Sequence, residues 1–200
     1  MDDETGRTED EPIDPVSLAT QCEGLLPFAK RDQFYGPAHG MALGSGIIVA
    51  NVAIPVFLPD ADAYGTGRGA ALVLTHECDI DPANIRPFND KALIAPIIRF
   101  DKYLETAARE YSQQDIRAFA TNVARGNTTR LCFLPRYGDV KSALHFGAFI
   151  DLNYVTSCGL QSLVKSPILC SLTGYAIGVI DRALQNHLFR AKADRPPLPH

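Results

Sequence analysis

The chain has no excess of positive charge, no long apolar run, no paired cysteines and no phosphate-loop signature. Each absence removes a class of function. Lys and Arg number 19 against 23 Asp and Glu, a net charge of −4. Proteins that coat nucleic acid are normally basic, so a general nucleic-acid surface is excluded and only a local basic patch is left open. The apolar stretches are broken by Pro, Gly or charge before they reach the roughly 20 residues of a membrane-spanning helix. No membrane role is expected. The N-terminal Met1-Asp2-Asp3-Glu4 is acidic where a secretory signal would be basic and then apolar, so a cytoplasmic location is expected. The five cysteines (Cys22, Cys78, Cys132, Cys158 and Cys170) are odd in number and widely spaced. That is neither a disulfide framework nor a zinc ribbon; reduced and mostly buried thiols are expected. Gly44-Ser45-Gly46 and Gly65-Thr66-Gly67 lack the Gly-Lys-Ser/Thr ending of a phosphate loop.

What is present is an ordinary globular composition, 46% hydrophobic and 21% charged over 200 residues, enough for one domain with a real core. Residues 1–14 are dominated by Asp and Glu and read as a disordered acidic tail. Residues 15–41 read as a lead-in, with a short amphipathic helix stopped by Pro27. Residues 42–190 read as the domain, and 191–200 as a Pro-rich tail.

Within the domain, residues 45–51 and 53–58 are β-branched and apolar, and Pro55 confines the second run to an edge, a strand start or a bulge. Residues 59–68 are rich in turn formers and read as a loop. The apolar runs 70–74 and 91–100 read as two central strands joined by a polar loop. Residues 101–125 switch to helical spacing, with Ser112 and Asp115 as a capping pair and Gly126 as a helix end. Short strands follow near residues 129–134, 147–152 and 166–170. Ser157-Cys158-Gly159 reads as a turn. Leu172, Ala176, Val179, Ile180, Ala183, Leu184 and Leu188 then form the stripe of a C-terminal helix. The pattern predicts an α+β fold, mainly β: a small, strongly bent barrel with a helical insertion at 101–125 and a closing C-terminal helix.

Two resemblances follow from particular residues. Gly67-Arg68-Gly69-Ala70-Ala71-Leu72-Val73-Leu74, Asn84 and Ala95-Pro96-Ile97-Ile98 resemble the motifs of the PemK/MazF-type toxin barrels, which implies an SH3-like barrel. That family cleaves single-stranded RNA with an Arg from the first motif and a Thr or Ser after the second. Arg68 takes the Arg position. Gly69 stands where the family has Pro, and Ile98 or Arg99 where it has Thr. The resemblance covers roughly residues 40 to 100. Thr75-His76-Glu77-Cys78-Asp79-Ile80, Phe133-Leu134-Pro135, Ile150-Asp151-Leu152, Leu188-Phe189-Arg190 and Leu198-Pro199 resemble a set of small bacterial proteins with a Thr-x-x-Cys-Asp-Ile pattern. That set has no established activity.

Chemistry concentrates in His76, Cys78 and Asp79. In an extended strand His76 and Cys78 would share one face, and Thr75, Glu77 and Asp79 the other. Cys78 would be a nucleophile if an imidazole lay beside it; His76 is the local candidate, and His145 and Asp151 are the distant ones. The same cluster, with His145 or Cys132, has donors that suit zinc. The plainer expectation is a buried Cys78, with Asp79 fixing a turn. Arg68, Arg99 and Arg130 are the candidates for phosphate or RNA binding. No cofactor is expected, zinc being the alternative. The leading functional expectation is an interaction or accessory module with a protein partner. Resemblance alone sets it in a toxin–antitoxin or phage-defence system. The alternatives are a toxin-like endoribonuclease acting on RNA, then a metal-binding protein or Cys-dependent hydrolase.

Overall fold

The computed structural model describes residues 12–26, 33–37, 42–58, 61–81, 83–84, 90–139 and 141–189. The acidic segment 1–11, the Pro-rich end 191–200, Arg190, and residues 82 and 85–89 of the polar loop lie outside them. The described chain runs α1 (Pro15–Leu25), β1 (Tyr35–Gly36), β2 (Ile47–Leu58), β3 (Ala63–Val73), α2 (Glu77–Ile80), β4 (Lys91–Arg99), α3 (Phe100–Ala107) and α4 (Gln113–Ala124). It continues through β5 (Leu131–Leu134), β6 (Ala148–Asp151), β7 (Thr156–Gly159), α5 (Leu160–Val164), β8 (Ile168–Leu172) and α6 (Gly174–Leu188). The fold is α+β. Its antiparallel sheet has the order β1-β8-β2-β3-β4-β6-β5, and β7 pairs with the first half of β4 as β6 pairs with the second. Among the described residues no helix is long and apolar enough to cross a membrane.

Strand alternation sorts the core into three clusters. Ile48, Leu72, Ile97, Leu134 and Ile150 share one face of the sheet with Ala176 and Ile180 of α6. Ile47, Val49, Ala71, Val73 and Ile94 face the other way, against Ile80 of α2 and Leu163 of α5. Phe133 and Phe149 pack beneath α1, α3 and α4. Helices cover both faces, so β3 is buried at four successive positions at its end and β6 throughout. That double burial is why these strands read as continuous apolar runs rather than as alternating ones.

Several expectations are met. Ser112 caps α4, its hydroxyl accepting from Asp115 N at 3.1 Å, and Gly126 takes the left-handed φ of 71° that ends the helix. Others are corrected. Residues 47–58 form one strand, with a bulge where Asn51 takes φ 58°. The turn-rich stretch expected as a loop is half of β3. Gly65, Gly67 and Gly69 pair with Val56, Ile54 and Val52, and the branched side chains of Val56 and Ile54 lean over the bare glycines. Ser157-Cys158-Gly159 is β7, with Cys158 buried. Leu172 ends β8 rather than opening α6. The lead-in belongs to the fold, because α1 buries Leu18, Ala19 and Cys22 against the helical layer and β1 pairs with β8.

The SH3-like barrel does not close. β1 and β5 are the two ends of the sheet, and among the described residues no ladder joins them. The ends meet through side chains instead. Tyr35 donates its hydroxyl to Pro135 O at 2.7 Å, and its ring lies 4.7 Å from that of Tyr137. The reason is local: Pro135 has no N–H to offer a ladder, and β1 is only two residues long. α6 sits close against the sheet near this gap. Gly46, at φ 85°, permits that approach, since a Cβ there would meet Ile177 Cδ1 at 2.6 Å.

Candidate functional site

The strand expected to carry His76 and Cys78 ends at Val73, and Glu77–Ile80 is one helical turn. The alternating faces therefore do not exist. The turn is pinned at both ends. Thr75 Oγ1 accepts from Leu93 N at 2.7 Å, and Ile80 is buried in the core. Asp79 N donates to His76 O at 3.0 Å, and Asn84 Nδ2 donates to Cys78 O at 2.5 Å. Gly44 lets the turn pack closely, because a Cβ there would lie 2.7 Å from Glu77 Cβ.

Cys78, expected to be buried, is exposed; the other four cysteines are buried. His76 Nδ1 accepts from Cys78 N at 3.4 Å and lies 3.1 Å from Cys78 Sγ. His76 Nε2 faces Glu77 Oε1 at 3.5 Å. Asp79 Oδ1 is 3.9 Å from the sulfur. The thiol and imidazole are thus placed as a nucleophile and a base would be. The buried thiols are of a different kind. Burial pushes Cys22 up to about 11 and Cys132 and Cys170 up to about 12, so they stay protonated.

The remaining candidates are scattered. His145 lies in the turn before Gly147, whose carbonyl accepts from Phe100 N, whereas the Cys78 turn is held at Leu93. That is about 20 Å of extended strand, so His145 does not serve Cys78. Its ring packs on Phe146 at 4.6 Å. Arg99, at the same far end, is held by Asp101 through Nε at 3.0 Å and Nη2 at 2.5 Å. Arg68 lies about 17 Å back along β3, and its Nη1 donates to Asn51 O at 3.0 Å. Arg130 grips Asp151 with Nε at 2.9 Å and Nη2 at 2.5 Å. Each of the three arginines has a partner within the chain. Cys132 points into the core. Among the described residues no three His, Cys, Asp or Glu side chains gather as a metal set.

Sequence reasoning passed over a cleft of about 570 Å³ between α6 and the segment from the end of α4 to β5. Leu131, Cys132 and Phe133 line it from β5, Phe34 from the turn before β1, and Val179 and Ala183 from α6. Arg125 and Arg182 stand on its two flanks, and among the described residues no Asp or Glu lines it. It occupies the gap where the barrel fails to close. The one sequence signal for it was Gly178, an isolated glycine inside a helical pattern. No protein-family model matches the chain, and no curated protein matches it.

Proposed function

We propose that the protein is a cytosolic interaction or accessory module whose partner site is the cleft between α6 and the α4–β5 segment. The observation that carries this reading is the cleft. Its 570 Å³ falls within the roughly 300–1,000 Å³ of ligand sites, and it combines an apolar floor with a few polar groups at the mouth. Apolar, hydroxyl, amide and guanidinium groups recognise a ligand without reacting with it, and the one thiol in the lining, Cys132, is held protonated by burial. The toxin-barrel resemblance sets such a module in a toxin–antitoxin or phage-defence system. The test uses the apolar anionic dye anilinonaphthalene sulfonate with wild type and Gly178→Trp, where the new side chain enters open space. Wild type takes up one dye per chain and the variant does not, with the same circular dichroism. Absence of uptake, or uptake indifferent to Gly178→Trp, rejects the cleft as a binding site.

A second reading is favoured by the 3.1 Å approach of Cys78 Sγ to His76 Nδ1. In it Cys78 adds to a substrate carbonyl while His76 takes the thiol proton. His76 returns that proton to the departing amine or alcohol as its bond to the carbonyl carbon breaks, and water then cleaves the thioester, as in a Cys-dependent hydrolase. His76→Ala is then expected to slow alkylation of Cys78 by iodoacetamide near neutral pH by about tenfold. An unchanged rate leaves His76 as a helix cap.

A further inference from the structure

We infer that the cleft receives an extended acidic segment of a partner polypeptide, added as a strand to the outer edge of β5. The inference rests on the cleft being the partner site. Leu152 N donates to Arg130 O at 2.8 Å, which sets the phase of the β5–β6 ladder. Cys132 and Leu134 therefore turn their backbone groups toward β6, and Leu131 and Phe133 turn theirs outward. The bond from Phe100 N to Gly147 O, 3.1 Å, gives the same phase from the other side of β6.

Thr128 Oγ1 donates to Leu131 O at 3.2 Å. The outward N–H of Leu131 and both backbone groups of Phe133 have no partner among the described residues, although Phe133 is only 5% exposed. Open backbone groups in so enclosed a place call for a partner. The main chain of another segment supplies both a donor and an acceptor at the right spacing.

Charge decides the class of segment. Arg125 and Arg182 flank the edge from α4 and α6, and among the described residues neither is ion-paired and the lining has no carboxylate. Successive side chains of an added strand point to opposite faces. Two neighbouring acidic residues would thus meet one arginine each. Gly178 leaves room for them: a Cβ at that position meets nothing within 4 Å, so the packing of α6 does not require a glycine there.

The test is amide chemical-shift mapping on the isotope-labelled full chain, titrated with a blocked hexapeptide of sequence Thr-Val-Glu-Glu-Val-Thr. Its Lys-Lys counterpart, a backbone N-methylated version and decanoate are the comparisons. The Glu peptide is expected to shift the amides of Leu131 and Phe133 and to bind roughly tenfold tighter than the Lys peptide. The N-methylated peptide is expected to lose this response, and the Arg125→Glu, Arg182→Glu double variant to reverse the charge preference. Equal binding of the Glu and Lys peptides, or indifference to N-methylation, overturns the inference. If dye uptake depends on Gly178 but only decanoate shifts the edge amides, the cleft holds a small amphipathic anion; the strand inference fails while the cleft reading stands. If neither dye nor peptide binds, both fail.

Discussion

Asp151 is 2% exposed, and its two oxygens accept from Arg130 Nε and Nη2 and from Asn153 N. Arg130 is half exposed, so water screens it and its loss is the milder change. Asp151→Ala leaves the guanidinium and a backbone N–H without their acceptor and is expected to cost about 2–3 kcal/mol in urea unfolding. The buried thiols set a pH limit. Their folded pKa values are raised, so as pH climbs past 9.0 the unfolded chain loses protons that the folded chain keeps. The thiols' contribution should be level below pH 9 and fall between 9 and about 12, and Cys132→Ala should flatten that fall in urea titrations. Below pH 9 one thiol per native chain, Cys78, should react with Ellman's reagent, and none in Cys78→Ser. The sequence marked Cys78 and Asp151 as unusual but not their settings. Exposure of Cys78 follows from a helical turn that Thr75 and Ile80 pin from either side, and the partner of Asp151 lies across a ladder whose register no local pattern reveals.

Elements announced by periodicity or by caps were legible. α4 has its Ser112 cap and Gly126 stop, and the buried runs around Leu72 and Ile94 became strands. β3 was half hidden. Its outer part alternates Gly65, Gly67 and Gly69 with Tyr64, Thr66 and Arg68, a composition of loops, and only the branched residues of β2 make it a strand. The glycines of α6 and its neighbours differ in kind. Gly46→Ala would force both a left-handed backbone and a clash with Ile177, and should lower stability by about 2–3 kcal/mol in thermal unfolding. Ile177→Ala in the same chain should recover only part of that loss, because the backbone strain stays. Gly178→Ala is the reverse case. It meets nothing, so it should raise stability by about 1 kcal/mol while narrowing the cleft and weakening dye uptake.

For the molecule as a whole, the α+β class was legible because strands buried on both faces and amphipathic helices leave distinct patterns. Closure of the barrel was not. It turns on whether Pro135 and a two-residue β1 sustain a ladder, a matter of a few backbone groups that hydropathy does not register. The cleft was illegible for the same reason, being the space that the missing ladder leaves. The order of pairing carries one more consequence. Ile48 pairs with Cys170, more than a hundred positions later, and Gly46 O accepts from Leu172 N at 2.7 Å. On the ribosome, β2 therefore emerges with one edge and one face uncovered and waits through most of translation for β8 and α6. Nascent chains arrested before Pro167 should stay open to protease, and those arrested well beyond Leu188 should resist it. Until then the uncovered side of β2 is a pairing edge open to other chains.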